Sequence, residues 1–141
     1  MSFSEALERM PQKGVMLLID EVLAATEDSI VCRASDHRRA DYPLRIAGEL
    51  MPVTLVELGA QASAAHASLY GIGGHHAGLL LALHKVEILK SDGDLSDSPL
   101  EACANRLYFD ESGARYRFTV RDQTRNILVG EAMLMMQAIE L

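Results

Sequence analysis

The chain has 141 residues, of which 49% are hydrophobic and 23% charged, which suits one globular domain over residues 1–141 and argues against general disorder. Its formal net charge of −7 argues against a nucleic-acid binder, whose affinity would come chiefly from Lys and Arg side chains that neutralise phosphates. No apolar run is long enough for a signal-peptide core or a membrane span, so we expect a cytoplasmic protein that does not bind membranes.

The first half of the chain predicts a short helix, a hairpin and a loop. Apolar residues recur at helical spacing over residues 2–10 and predict an amphipathic helix that ends at Pro11. Two runs rich in aliphatic residues, 16–26 and 29–35, flank Glu27-Asp28 and predict a pair of strands joined by a tight turn. Residues 36–50 are polar and show no period, so they predict a loop.

A long helix is predicted over residues 53–70, with Pro52 in its first turn and Gly71 as its stop. This helix is built of small residues. Such small side chains would let a sheet approach the helix closely on every side. The small residues of this helix are Gly59, Ala60, Ala62, Ser63, Ala64, Ala65, Ala67 and Ser68.

Four further apolar runs follow a glycine-rich turn at residues 71–78 and predict strands over 79–89, 100–109, 115–121 and 127–139. Residues 115–121 alternate between polar and apolar, as is typical of a half-buried strand, and the last run is apolar on both faces, as is typical of a central strand. The order of elements predicts an α+β fold in which an antiparallel sheet of about six strands wraps around one long helix.

Several kinds of functional site lack their motifs here. The sequence contains no GxSxG, HExxH, P-loop or GxGxxG pattern, and we expect no cofactor. The turn glycines lack the strand-before and helix-after context of a phosphate site, so they predict a mobile turn: Gly71, Gly73, Gly74 and Gly78. Cys32 and Cys103 have no CxxC spacing and predict unlinked thiols.

The histidines do not form a convincing metal site. His75, His76 and His84 have no neighbouring cysteine or carboxylate in the sequence, so we expect a polar turn and no metal. His66 lies within the small-residue helix, where we expect a partly buried and hydrogen-bonded histidine that takes no part in catalysis.

Glu57 stands out because it is a carboxylate on an otherwise apolar helix face. A charge buried there would be costly unless it is hydrogen-bonded, and Gln61, four residues later on the same face, can supply that bond. The alternative is an ordinary solvated glutamate.

Two segments resemble a known family. Residues 10–22, MPQKGVMLLIDEV, resemble the P-H-R-x-P-M-L-L-[VL]-D-R-V opening of hotdog-fold 3-hydroxyacyl-acyl-carrier-protein dehydratases, and residues 55–62, LVELGAQA, are similar to their helix signature L-x-E-x-[MA]-A-Q-A. The resemblance is closest to a branch associated with aryl-polyene-type lipid pathways. It implies a hotdog fold, a substrate of the acyl-carrier-protein or acyl-CoA thioester type, and a homodimer or hotdog heterodimer.

The resemblance also implies site residues. Glu57 takes the place of the catalytic carboxylate and Gln61 that of the substrate-binding amide. The family histidine of the loop motif H-F-P-G is replaced, because the loop reads Asp41-Tyr42-Pro43-Leu44, and Gln12 stands in place of the opening histidine. His37 is then the candidate for the second catalytic group, since histidine titrates near neutral pH; the alternative is an exposed loop histidine.

Two binding elements complete the expected site. The family binds the thioester carbonyl with an amide at the helix start, and because Pro52 has no amide hydrogen, Val53 would have to serve. Arg38, Arg39 and Arg45 form a local basic cluster that would suit an acidic carrier protein or a pantetheine phosphate; the alternative is a solvated charged loop.

Three functions stay open at this point. The first is a dehydratase that acts on 3-hydroxyacyl thioesters with Glu57 and His37 as catalytic groups. The second is a non-catalytic acyl-binding subunit that pairs with an active hotdog partner, which the replaced loop histidine favours. An acyl thioesterase is the third.

Overall fold

A computed structural model describes residues 2–8, 10, 14–71, 76–89, 98–123 and 125–138. In these residues there are two α-helices and six strands, with short 3-10 turns at Gly14–Met16, Asp36–Arg38 and Pro52–Leu55. The helices are α1 (Phe3–Glu8) and α2 (Val56–Leu69). The strands are β1 (Glu21–Ala25), β2 (Ser29–Ala34), β3 (His76–Ile88), β4 (Leu100–Phe109), β5 (Gly113–Arg121) and β6 (Asn126–Ala138).

The six strands form one antiparallel sheet in the order β1-β2-β4-β5-β6-β3. Helix α2 packs against β2 to β6, and its residues from Leu58 to Ser68 are all buried. The side chains of Tyr116, Phe118 and Val120 in β5 are fully buried, which confirms the alternation predicted for that strand. Strand β6 lies between β5 and β3, as expected for a run that is apolar on both faces.

The small residues of α2 allow a close approach at Gly59. A Cβ atom on Gly59 would overlap the ring of Phe118, and a Cβ atom on Gly130 of β6 would lie 2.7 Å from the Cζ atom of the same ring. Phe118 therefore fills the space between helix and sheet that these two glycines leave open.

The predicted elements are confirmed, with differences at their ends. The first strand begins at Glu21 rather than residue 16, because Gly14–Met16 forms a 3-10 turn. The first turn of the long helix, Pro52–Leu55, is also 3-10. Strand β3 begins at His76, inside the predicted glycine-rich turn. Parts of other predictions lie outside the described residues: Pro11, Gln12, Gly73, Gly74, His75 and the last residue of the run at 127–139.

His66 has the structural role that the sequence indicates, although it is completely buried rather than partly buried. Its Nε2 donates to the carbonyl oxygen of Thr26 at 2.8 Å, and its Nδ1 therefore accepts from the hydroxyl of Tyr116 at 2.7 Å. Burial lowers the pKa of His66, so the neutral ring is favoured.

Cys32 and Cys103 are both unlinked, as predicted. Burial raises the pKa of the Cys32 thiol to about 12, which makes it unreactive at neutral pH. None of the described helices is long and apolar enough to cross a membrane.

Candidate functional site

Glu57 lies in the first turn of α2 and is half-buried. Its Oε1 accepts a hydrogen bond of 3.1 Å from Nε2 of Gln61, which is the i, i+4 contact that the sequence predicts. The start of a helix also stabilises a carboxylate through the partial positive charge of its unpaired amides. The side chain is therefore held in one place while part of it remains accessible.

Gln61 is completely buried and uses all of its hydrogen-bonding groups. Its Oε1 accepts from the amide of Leu18 at 2.9 Å, and its Nε2 donates both to the carbonyl oxygen of Met16 at 2.8 Å and to Glu57. The carboxamide thus ties the segment before β1 to helix α2. This geometry favours a positioning role for Gln61 over direct contact with a substrate.

The loop between β2 and α2 buries His37, whose exposed fraction is 2%. The guanidinium of Arg45 holds this loop together, since it donates to the carbonyl oxygens of His37 at 2.7 Å, Arg39 at 2.9 Å and Gly48 at 3.1 Å. His37 is thus not the exposed loop histidine of the alternative interpretation, and Arg45 is engaged with backbone rather than free to bind an anion.

Asp41, at the position of the family histidine, is an exposed carboxylate paired with Arg39. The guanidinium binds it through two hydrogen bonds, 3.0 Å from Nε to Oδ1 and 2.9 Å from Nη2 to Oδ2, and this pairing lowers the pKa of Asp41. A carboxylate held in its charged form is a poor proton donor. In this charged form Asp41 cannot donate a proton as a histidinium would. Of the three loop arginines, only Arg38 is both exposed and outside these two networks.

The start of the helix presents Val53 to solvent. Val53 lies in the 3-10 turn with an exposed fraction of 44%. The next amide in the turn, that of Thr54, donates to the carbonyl oxygen of Met51 at 3.0 Å. Val53 thus lies at the helix start, where the family resemblance implies an amide donor to the thioester carbonyl.

Tyr42, the residue after Asp41, is not among the site residues that the sequence predicts. Its side chain is 4% exposed and borders a cavity of about 330 Å³, which is also lined by Gly14, Leu17, Leu18 and Pro43 and by the charged residues Asp36, Arg39 and Asp41. The sequence does contain a sign of this difference, because the loop has tyrosine where the family motif H-F-P-G has phenylalanine. Among the described residues there is no cluster of three or more His, Cys, Asp or Glu side chains that would hold a metal ion.

An antiparallel sheet wrapped around one long helix is the architecture of a hotdog-fold protein. Residues 5–139 match the family model described as ApeP-like, ApeP dehydratase. The match spans nearly the whole chain, so the protein belongs to the ApeP-like dehydratase family, and the family resemblance of its two motifs is confirmed.

Solved structures support the same fold. The dehydratase heterocomplex ApeI:P from Xenorhabdus doucetiae is 19% identical with a TM-score of 0.73, covering 93% of this chain and 90% of that one. A thioesterase family protein from Silicibacter pomeroyi is 14% identical with a TM-score of 0.72, covering 98% and 100%. A mutant of thioesterase PA1618 from Pseudomonas aeruginosa is 11% identical with a TM-score of 0.64, covering 84% and 81%. Comparison with curated protein sequences gives no significant match.

Proposed function

We propose that this ApeP-like protein removes water from a 3-hydroxyacyl thioester carried by an acyl carrier protein or coenzyme A, with Glu57 as the ionisable catalytic group. One observation carries the proposal: the Glu57 carboxylate is held half-buried at the start of α2 by Gln61, which is itself fixed to the 16–18 segment. Such a fixed carboxylate is what proton transfer to or from a bound acyl chain requires.

The elimination needs three contributions. A base takes the proton next to the thioester carbonyl, a donor polarises that carbonyl, and the 3-hydroxyl leaves with a proton as water. Glu57 supplies the base, and the amide of Val53 is the candidate donor to the carbonyl. His37 is retained as the second proton-transfer group, since its side chain is buried in the loop that leads into α2, and loss of activity in His37→Ala would test this role.

A second function, a subunit that binds acyl chains without catalysis, is favoured by one specific observation. The loop position of the family histidine holds Asp41, and its pairing with Arg39 removes it from acid catalysis. Strand β3, with 13 residues, also lies at one edge of the sheet. A long edge strand leaves a row of backbone N–H and C=O groups unpaired, and a second chain can pair with them. We propose that a second hotdog subunit, either a copy of this chain or a different protein, pairs with this edge.

The chemical environment of the loop suggests how a carrier would bind. Arg38 is exposed in a chain of net charge −7, so it provides a local cation for an acidic carrier protein or a pantetheine phosphate.

We also propose that the protein works in the cytoplasm, where such thioesters are used, and that residues 1–141 form a single domain.

One assay separates the functions. Purified protein is incubated with 3-hydroxyacyl thioesters and, for the reverse reaction, 2-enoyl thioesters, while enoyl absorbance and free thiol are followed together. A change in enoyl absorbance without thiol release indicates a dehydratase, and thiol release indicates a thioesterase. If the chain is inactive alone but active when a co-expressed hotdog subunit co-purifies with it, the chain is the non-catalytic subunit. If Glu57→Gln then leaves the activity of this complex unchanged, Glu57 is not the catalytic group.

A further inference from the structure

Tyr42 carries a buried hydroxyl that the fold leaves without a hydrogen bond. The residue is 4% exposed, and within the described part of the chain its hydroxyl oxygen has no hydrogen-bond partner. Its backbone is well held, since its amide donates to the carbonyl of Arg39 at 3.1 Å and its carbonyl accepts from the amide of Arg45 at 2.9 Å. A buried hydroxyl without a partner costs free energy, and phenylalanine would fill the same space without that cost.

Burial, together with nearby carboxylates, keeps the Tyr42 hydroxyl protonated. Burial raises the pKa of Tyr42 above its ordinary value, and the carboxylates of Asp20, Asp36 and Glu57 raise it further in that order. The phenol is therefore a hydrogen-bond donor over the whole working range of pH and does not act as a base.

The cavity beside Tyr42 is connected to Glu57 through hydrogen bonds. Leu17 and Leu18 form part of the cavity wall, the amide of Leu18 donates to Gln61, and Gln61 donates to Glu57. Pro43 continues the wall on the side of Tyr42. The same clamp that positions Glu57 thus shapes the cavity that Tyr42 borders.

We propose that the Tyr42 hydroxyl donates a hydrogen bond to the 3-hydroxyl of the bound acyl thioester and so determines specificity for hydroxylated acyl chains. This inference rests on the proposed function, because it assigns a substrate contact to the same site. Tyr42 keeps its proton throughout; the contact orients the leaving hydroxyl and transfers nothing.

The 3-hydroxyl fits this position better than the thioester carbonyl does. The carbonyl oxygen gains negative charge when the neighbouring proton is removed, and three carboxylates around Tyr42 oppose negative charge at that point. A 3-hydroxyl stays neutral while it accepts from Tyr42. A neutral acceptor is therefore the better match for a donor in acidic surroundings.

The experiment compares two ligands that are not turned over. Pantetheine amides of 3-hydroxyacyl chains and of the matched chains without the hydroxyl, in a series of lengths, are titrated into the full chain by calorimetry. The wild-type protein should prefer the hydroxylated ligands, and Tyr42→Phe should reduce that preference roughly 5-fold to 10-fold, as expected for one hydrogen bond. Affinity for the ligands without the hydroxyl should be unchanged. Tyr108→Phe, at an exposed tyrosine of β4, is the matched control and should keep the preference.

The stability of the same variants tests the premise. Tyr42→Phe should unfold at the same or a higher denaturant concentration than the wild-type protein, because it removes only an unpaired hydroxyl. A less stable variant would show that the hydroxyl has a partner within the fold, and would overturn the proposal. So would binding of neither ligand series, equal affinity for both, or a preference that survives Tyr42→Phe. Since binding needs no turnover, a preference without dehydratase activity would count against the proposed reaction alone.

Discussion

Glu57 and Gln61 are joined, one helical turn apart, by a hydrogen bond of 3.1 Å between Gln61 Nε2 and Glu57 Oε1. The substitution Glu57→Gln keeps an acceptor oxygen for this bond and removes only the ionisable group. We therefore expect dehydration to slow by about 100-fold to 10,000-fold, as for loss of a general acid or base, with little change in the free energy of unfolding. Enoyl absorbance and urea denaturation measure the two effects. Glu111→Gln, at an exposed turn position, is the control, and normal turnover in Glu57→Gln would remove the catalytic assignment.

Gln61 should behave as a structural clamp. Gln61→Met keeps the length of the side chain but replaces the carboxamide with an apolar thioether, which leaves the buried amide of Leu18 and the carbonyl of Met16 without their partner. We expect the free energy of unfolding to fall by about 2–5 kcal/mol, since each unpaired buried group costs about 1–3 kcal/mol. Chemical denaturation gives the value. A variant as stable as the wild-type protein would show that the 16–18 segment is not held by this side chain.

The loop arginines should separate into two classes. Arg45→Ala removes donors to three backbone carbonyls, so we expect a loss of about 1–2 kcal/mol and faster amide hydrogen exchange over residues 36–50. Arg38→Ala should change stability by less than about 0.5 kcal/mol, as for an exposed site, and should raise KM for an acyl-carrier substrate without changing kcat. Equal effects of both substitutions on stability would contradict this division.

Local sequence patterns were enough to predict the helices and strands. The arrangement of side chains in the candidate site depends on contacts between residues far apart in the sequence. The bounds of β4 agree with prediction because its apolar run is bracketed by Pro99 and Asp110. The i, i+4 bond from Gln61 was also predictable, since helix geometry alone brings the two residues together. The bond from Leu18 to Gln61 spans 43 positions, and no local period reports it. The burial of His37 likewise depends on a loop that has no sequence period.

Stability should depend on pH through His66. Its pKa is lowered in the folded state, chiefly by burial, so the unfolded chain takes up a proton first as pH falls. The contribution of neutral His66 to the free energy of unfolding is fully present above the pKa of histidine in the unfolded chain, about 6.5. It is lost as the pH falls from that value towards the lower pKa of the folded state, by up to about 1.4 kcal/mol per pH unit. Urea denaturation at a series of pH values should give a shallower acid loss for His66→Gln than for the wild-type protein. Parallel curves would contradict the assignment.

The contact between Gly59 and Phe118 should tolerate no added atom on the helix. Gly59→Ala would gain about 1 kcal/mol from helix propensity, but its methyl group would overlap the Phe118 ring, which is completely buried and has Gly130 on its other side. Because overpacking typically costs about 1–3 kcal/mol and more where the neighbour has no room to move, we expect a net loss of about 1–2 kcal/mol. Phe118→Leu makes room for the methyl group, so the double variant should lose less stability than the sum of the two single variants. Denaturation of all four proteins measures this coupling. If Gly59→Ala is more stable than the wild-type protein, propensity outweighs packing, and α2 does not lie as close to β5 as the structure places it.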